Sequence, residues 1–237
     1  MINVIFSINV HESIKFLLYQ LQNIKQYVKV SYIVIINCNK TMLNILNNNK
    51  SIKLMKNVIL YPKYLKKKRF HGSITNGICL NMKFALNYYK FEYFIILSSR
   101  NIFYNEFNSN NYNKLLKITG IKYETIKKDD WWWPTFLNTK LSKYFIEQDK
   151  LFSFSAHEGL TFDYESCKSI IYFIFTHKDI MEELFNYEAC VEEFSLQSIC
   201  VNESGYYYDI GNGCGRHDNQ QHTLPKNKYV YKVYRFK

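Results

Sequence analysis

Hydrophobic positions in the first hundred residues of this chain follow two alternating patterns. Nearly unbroken apolar runs, typical of strands covered on both faces, occupy residues 2–10, 31–37, 58–60 and 91–97. Between the runs, apolar residues recur every three or four positions, which predicts helices over residues 14–28, after residue 40, and over residues 73–89. Ser13 and Ser73 stand where their hydroxyl groups could cap two of these helices. Strands that alternate with helices indicate an α/β fold with a mainly parallel central sheet, flanked by helices on both faces.

The second half of the chain has a less regular pattern. An asparagine-rich loop over residues 105–113 leads into a predicted helix ending near residue 118, and residues 120–128 are predicted to form an edge strand. Further predicted elements are a strand over residues 151–155, a strand-like run over residues 229–236, and helices over residues 141–146, 164–175, 179–185 and 190–201. Neither an internal repeat nor a linker interrupts the sequence, so residues 1–237 are predicted to form one domain.

Composition narrows the class of protein. With 47% hydrophobic residues in a chain of 237, the sequence is not that of an intrinsically disordered protein. The formal net charge of +11 favours anionic partners such as phosphorylated ligands, although a solvated basic surface would have the same charge. The six cysteines form no CxxC pair and lie mostly in predicted helices and strands, which favours reduced thiols and a cytoplasmic location.

Export and membrane signals are not expected in this sequence. Polar residues interrupt the apolar positions of residues 1–19, so no signal peptide is predicted there. No run of about 18 apolar residues occurs, so no transmembrane helix is predicted.

Three stretches, taken in their order and spacing, resemble a known family. They are IFSINVHESIKFLLYQLQNI at residues 5–24, HGSITNGICLNMKFALNYYKFEYFIILSSRNIF at residues 71–103, and VEEFSLQSICVN at residues 191–202. Together they are similar to glycosyltransferase family 14, the core-2/I-branching β-1,6-N-acetylglucosaminyltransferases and peptide xylosyltransferases. The first looks like the family's opening strand, histidine and helix, and the second like its helix with an Asn-Met pair and the following strand. The third resembles its Asp-Glu-x-x-x-x-Thr stretch.

The resemblance implies a single-domain GT-A fold with a Rossmann-like nucleotide-binding half. Residues 1–104 would bind the donor, and residues 105–237 would form the acceptor half and a basic tail. The implied reaction is the inverting transfer of a sugar from a nucleotide-diphosphate donor, such as UDP-GlcNAc or UDP-xylose, to a hydroxyl group of a glycan or another acceptor.

Such a transfer needs a general base, and Glu193 is the predicted one. It matches the catalytic position of the family's third stretch, in which Ser198 matches the threonine. The dipole of a helix favours the ionised form of a carboxylate near its start, so Glu193 could accept the proton of an acceptor hydroxyl. A shift of one residue in this match would exchange Glu193 for Glu192, and Glu158 is a second candidate.

The leaving diphosphate needs positive charge, and the usual metal motif is missing. Most GT-A enzymes carry an Asp-x-Asp after the strand that corresponds to residues 91–97, where this chain has Ser98-Ser99-Arg100. Members of the resembled family also lack a working motif and use basic side chains, which can bind phosphate directly. The candidates here are Arg100, Arg216, Lys226, Lys228, Lys232 and Arg235. A displaced metal motif at Asp129-Asp130 is the less favoured alternative, so no cofactor is expected and Mn²⁺ or Mg²⁺ is disfavoured.

Further site residues follow from predicted strand ends and from the resemblance. The predicted donor residues at or just after strand ends, where α/β sheets bind ligands, are Asn9, His11, Asn37, Asn39, Ser98 and Ser99. On the acceptor side, His157 and Glu158 match a family stretch that lines the acceptor site. Trp131, Trp132 and Trp133 offer aromatic faces for a sugar ring, although three consecutive side chains cannot all face one way.

Two other functions remain open on the sequence alone. A basic, aromatic-rich nucleic-acid-binding module would use clusters such as residues 66–69, but the other lysines are scattered and most aromatic residues fall on core-facing positions. A catalytically inactive protein of the same fold would bind a sugar with the same residues. Cys214, His217 and His222 lack the spacing of a zinc site. Because the lysines are scattered and most aromatic residues fall on core-facing positions, no nucleic-acid partner is expected. The oligomeric state is not predicted.

Overall fold

A seven-stranded sheet, helices on both of its faces and a small two-stranded sheet make up the fold. The computed structural model describes residues 1–10, 13–98, 100–112, 114–126, 136–156, 158–211 and 228–232. The α/β class and the flanking helices predicted from the sequence are confirmed. Among the described residues, no helix is both long enough and apolar enough to cross a membrane.

The seven-stranded sheet has the order β3-β2-β1-β4-β7-β8-β6. Its strands are β1 (Ile2–Val10), β2 (Tyr32–Cys38), β3 (Val58–Leu60), β4 (Phe91–Ser98), β6 (Lys117–Ile118), β7 (Leu160–Asp163) and β8 (Tyr207–Asp209). The first four strands pair in parallel, whereas β7, β8 and β6 add antiparallel pairings beyond β4. Among the described residues, the sheet is therefore mixed, with three parallel and three antiparallel pairings, and the mainly parallel sheet predicted from the sequence is not confirmed. The small sheet pairs β5 (Asn101–Phe103) with β9 (Val230–Lys232).

Helices cover the two faces of the large sheet and divide the hydrophobic core in two. The helices are α1 (Ile14–Tyr27), α2 (Lys40–Asn48), α3 (Lys50–Lys53), α4 (Ser73–Tyr88), α5 (Ser109–Tyr112), α6 (Lys140–Glu147), α7 (Tyr164–Thr176), α8 (Lys178–Asn186) and α9 (Ser195–Glu203). One core lies between the sheet and α1 to α3, and the other lies between the sheet and the helices α4 and α6 to α9. Strand residues alternate between the cores, because successive side chains of a strand point to opposite faces.

The predicted helix caps have different outcomes. Ser13 caps α1 as predicted, since its hydroxyl oxygen accepts a hydrogen bond from the backbone N–H of Phe16 at 3.4 Å. The prediction for Ser73 is wrong. Gly72 is the N-cap of α4 and makes no side-chain cap, while the Ser73 hydroxyl accepts the N–H of Lys68 at 3.1 Å. Ser73 therefore anchors the preceding loop rather than the helix.

Several predicted elements of the second half are wrong. Residues 117–118 form strand β6 instead of the end of a helix, because they pair with β8 at the edge of the sheet. In place of the edge strand predicted from residue 120, Ile121 makes an isolated pairing with Phe152 and Tyr123–Thr125 forms a 3₁₀ turn. The helix predicted over residues 190–201 is divided into a 3₁₀ turn, Val191–Glu193, and helix α9.

Candidate functional site

Three of the predicted donor residues lie side by side where parallel strands end. Asn9 of β1 is in register with Asn37 of β2 on one side and with Ser98 of β4 on the other. Neighbours in a parallel register point to the same face, and Ile5 and Ile35 place that face against α4. We call Asn37, Asn9 and Ser98 the polar row. It lies at the carboxyl ends of the strands, where α/β sheets bind ligands.

Hydrogen bonds fix the orientation of the two amides in the polar row. Asn9 donates its Nδ2 to the backbone oxygen of Ile74 at 3.0 Å, and Asn37 Oδ1 accepts from Lys67 Nζ at 2.6 Å. A carbonyl can only accept and an ammonium can only donate, so neither amide can be flipped. Asn9 Oδ1 and Asn37 Nδ2 are both buried and have no hydrogen-bond partner in the described part of the chain. The row therefore presents one unsatisfied acceptor next to one unsatisfied donor.

The turn after β4 is held by buried amides of α1 and β5. Ser98 donates its N–H to Asn101 Oδ1 at 2.6 Å, and Gln20 Nε2 donates to the backbone oxygens of Ser98 and Asn101, both at 2.8 Å. The N–H of Arg100 contacts Ser98 Oγ at 3.5 Å. These bonds hold Ser98 in the polar row and the backbone of Arg100 next to it.

Lys67 is the site residue that the sequence reasoning did not single out. It belongs to residues 61–70, here called the basic strap, which crosses the carboxyl ends of the strands. Backbone N–H groups of Tyr61 and Leu65 donate to Ile36 and Cys38 of β2, at 2.8 and 3.0 Å. The strap thereby brings the Lys67 ammonium to Asn37.

Gly77 of α4 makes room for the lysine stem. A Cβ atom at this position would lie 2.5 Å from Asn9 Oδ1 and 2.8 Å from Lys67 Cε. Asn9, Asn37 and Lys67 therefore form one contiguous cluster against α4. Burial lowers the pKa of Lys67 to about 7, and the Cys38 thiol beside it opposes that shift.

Glu193, the predicted base, lies in the buried 3₁₀ turn that packs against α4. The exposed fractions of Glu192 and Glu193 are 3% and 8%. Glu193 precedes α9 instead of lying in its first turn, which corrects the sequence prediction. Its backbone oxygen accepts the N–H of Ser155 at 3.0 Å, so a backbone bond also holds the turn in place.

Side chains of α9 take the place of a neighbouring strand for residues 151–155. Asn202 bonds both the N–H and the C=O of Leu151, at 2.9 and 2.8 Å, and Ser198 bonds those of Ser153, at 2.9 and 3.1 Å. Four residues of a helix rise about 6 Å and two residues of an extended chain about 6.6 Å, so the two spacings match. The predicted strand over residues 151–155 is thus an extended segment bonded to a helix. The segment in turn positions Glu193 through Ser155.

Replacing Ser198 by Ala should lower the free energy of unfolding by about 2 kcal/mol, because it leaves the buried N–H and C=O of Ser153 unsatisfied. Urea unfolding followed by circular dichroism would measure the change. Ser51, exposed on α3, provides the control, and its replacement by Ala should change the stability by less than about 0.5 kcal/mol. Equal stabilities of the two variants would contradict the role given to Ser198.

A second, partly buried cluster joins Glu158 to Asp209 and Lys228. Lys228 Nζ lies 3.0 Å from Asp209 Oδ2, and the N–H of Gly211 donates to Asp209 Oδ1 at 2.7 Å. Burial raises the pKa of Asp209, the nearby Glu158 adds to the rise, and Lys228 opposes it. The N–H of Gly159 donates to Ile96 at 2.8 Å, which places Glu158 next to the end of β4. Lys228 thus lies near the candidate carboxylate Glu158, but its ammonium is bound to Asp209.

The remaining predicted site residues have other positions. Asn39 is exposed and caps α2, since its Oδ1 accepts the N–H of Met42 at 2.9 Å. Residues outside the described part of the chain are His11, Ser99, Asp129, Asp130, Trp131, Trp132, Trp133, His157, Arg216, Lys226 and Arg235, and the side chain of Lys232 is not described either. Among the described residues, no three His, Cys, Asp or Glu side chains are grouped to hold a metal ion.

No protein-family model matches the chain, and the comparison with curated proteins found no match.

Proposed function

We propose that this chain is a GT-A-type glycosyltransferase, which moves a sugar from a nucleotide-diphosphate donor to a hydroxyl acceptor with inversion. One observation carries the proposal. Asn9 and Asn37 direct an unsatisfied acceptor and an unsatisfied donor to the carboxyl ends of parallel strands, next to a partly buried ammonium. Buried polar groups are normally paired, so this arrangement suits a polar, anionic ligand that completes the bonds. The resemblance to glycosyltransferase family 14 suggests which ligand that is.

Glu193 is the proposed base in this reaction. Its carboxylate takes the proton of the acceptor hydroxyl while that oxygen attacks the anomeric carbon of the donor, and the nucleoside diphosphate leaves from the opposite side. The leaving group carries away the electron pair of the broken bond, so positive side chains must stabilise its charge. Arg100, which follows the polar row, and the basic tail are proposed for that task. Glu158 is the second candidate for the base.

The burial of the aromatic residues supports this function over nucleic-acid binding. Single-strand binders stack bases on exposed aromatic faces, whereas Phe6, Phe94, Phe136, Phe152 and Tyr207 are among the fully buried side chains. The described Lys68 and Lys228 are bound to carboxylates, at 3.8 and 3.0 Å. The buried rings are not available for stacking on bases.

A panel of nucleotides, nucleotide sugars and oligonucleotides would test the proposal. We expect UDP and a UDP-sugar to raise the melting temperature, since a ligand that binds only the folded state stabilises it. We also expect transfer or slow hydrolysis of that UDP-sugar, unchanged in EDTA. Binding without turnover would favour the inactive sugar-binding protein, and a shift with oligonucleotides alone would favour the nucleic-acid module. Activity that vanishes in EDTA and returns with Mn²⁺ would contradict metal independence.

A further inference from the structure

The Lys67 ammonium is partly buried and has no carboxylate partner in the described part of the chain. Its one hydrogen bond goes to Asn37, which uses one of the three donors of the ammonium. Its basic neighbours are different: Lys66, Lys68 and Arg69 are exposed, and Lys68 pairs with Glu188 at 3.8 Å. The basic strap therefore directs one of four consecutive cations inwards and leaves three in solvent.

A partly buried cation without a counter-charge is unfavourable in the unliganded protein. Removing an ammonium from water is unfavourable, and a hydrogen bond to an amide oxygen compensates for less of the lost hydration than an ion pair with a carboxylate would. The Cys38 thiol is the titratable group of the described chain that acts on Lys67. Burial raises the pKa of this thiol, so Cys38 is neutral near neutral pH and supplies no counter-charge. An anionic ligand would supply it.

Asn37 provides a second donor at the same place. Its Oδ1 is bound to Lys67, so its unsatisfied Nδ2 is directed elsewhere within the same cluster. A phosphate group accepts several hydrogen bonds at once. The Lys67 ammonium and the Asn37 N–H₂ group therefore provide donors for two oxygens of one phosphate. The neighbouring acceptor, Asn9 Oδ1, suits an N–H or O–H of the same ligand.

We propose that Lys67 and Asn37 bind a phosphate group of a nucleoside diphosphate, so that the basic strap supplies one of the cations the donor requires. The identity of the nucleotide rests on the proposed function, whereas the anion site rests on the geometry alone. This cation comes from the first half of the chain, in addition to Arg100 and the basic tail. The anion replaces the missing counter-charge of Lys67, so its binding takes up a proton between the folded-state pKa of about 7 and the ordinary value of 10.5.

Calorimetric titration of the whole chain with UDP, uridine and inorganic pyrophosphate tests this proposal. Lys67→Met keeps the length of the stem and removes the charge, and Lys66→Met makes the same change at an exposed neighbour. We expect Lys67→Met to weaken UDP and pyrophosphate about tenfold or more, to leave uridine unchanged and to abolish the proton uptake. Lys66→Met should bind all three like the wild type. Lys67→Arg should retain most of the affinity for UDP, which would show that a lost charge and not a disturbed fold weakens the Met variant.

Several results would overturn the anion site. UDP affinity within twofold of wild type in Lys67→Met would do so, and so would an equal loss for uridine and UDP. The proposed function fails separately. If the chain binds pyrophosphate through Lys67 but processes no nucleotide sugar, the anion site is supported and the glycosyltransferase function is contradicted. If the chain transfers sugar and Lys67→Met binds UDP with wild-type affinity, the glycosyltransferase function is supported and the anion site is contradicted.

Discussion

Replacing Glu193 by Gln is expected to lower the rate of sugar transfer by about 10²–10⁴-fold and to leave UDP affinity unchanged. Glutamine has nearly the same shape, but its amide cannot accept the proton of the attacking hydroxyl. The 3₁₀ turn should keep its place, because the backbone oxygen of Glu193 holds it to Ser155. Initial rates with a saturating UDP-sugar measure the chemical step, and calorimetry with UDP measures donor binding.

Glu192→Gln is the matched control for this experiment. Glu192 lies in the same turn, is also buried, and loses the same charge in the variant. It should retain most of the transfer rate if the base is Glu193. A wild-type transfer rate in Glu193→Gln would contradict the assignment of Glu193 as the base. The Glu158→Gln variant would then be tested, because Glu158 lies next to the end of β4 and beside Asp209.

Much of the first half of the fold could be predicted because its elements are long and strongly periodic. The bounds of β1 and β3 agree with the prediction, and α1 begins after the predicted cap, Ser13. In parallel strands, carboxyl ends meet at one edge of the sheet, so Asn9, Asn37 and Ser98 could be expected to lie together. In this half of the chain, the local hydrophobic pattern agrees with the arrangement of the strands and helices in the fold.

The second half depends on partners that are distant in the sequence. Residues 151–155 have the composition of a strand, but their hydrogen bonds go largely to side chains of α9. Strands β6 and β8 contain two and three residues, which is too short for a periodicity to appear. The antiparallel half of the sheet arises from these tertiary contacts, and a local pattern does not contain them.

Lys67 shows why part of the candidate site could not be predicted. In the sequence it is one of four consecutive basic residues, residues 66–69, and nothing local distinguishes it from its neighbours. Its partial burial arises from the path of the basic strap along β2 and from the space left by Gly77 on α4. A glycine inside a predicted helix was the available signal, since such a glycine often marks a close approach of another chain segment.

Replacing Gly77 by Ala is expected to weaken UDP binding by about 2 kcal/mol, or roughly thirtyfold, even though alanine favours the helix. The added Cβ would lie 2.5 Å from Asn9 Oδ1 and 2.8 Å from Lys67 Cε, closer than real Cβ contacts allow. Asn9 is anchored to Ile74, so the lysine stem has to move as well. The variant thus disturbs two ligand-facing groups at once. Calorimetry with UDP, together with urea unfolding, would separate this local effect from a loss of stability.

Asn87→Ala gives the control on the same helix. Asn87 is exposed near the end of α4, so its replacement raises helix propensity without adding an atom to the site. We expect its UDP affinity to equal that of the wild type. For Gly77→Ala, the gain in helix propensity of about 1 kcal/mol offsets part of the overpacking, so its unfolding free energy should change by less than about 2 kcal/mol. Wild-type UDP affinity in Gly77→Ala would mean that the ligand does not reach the cluster formed by Asn9, Asn37 and Lys67.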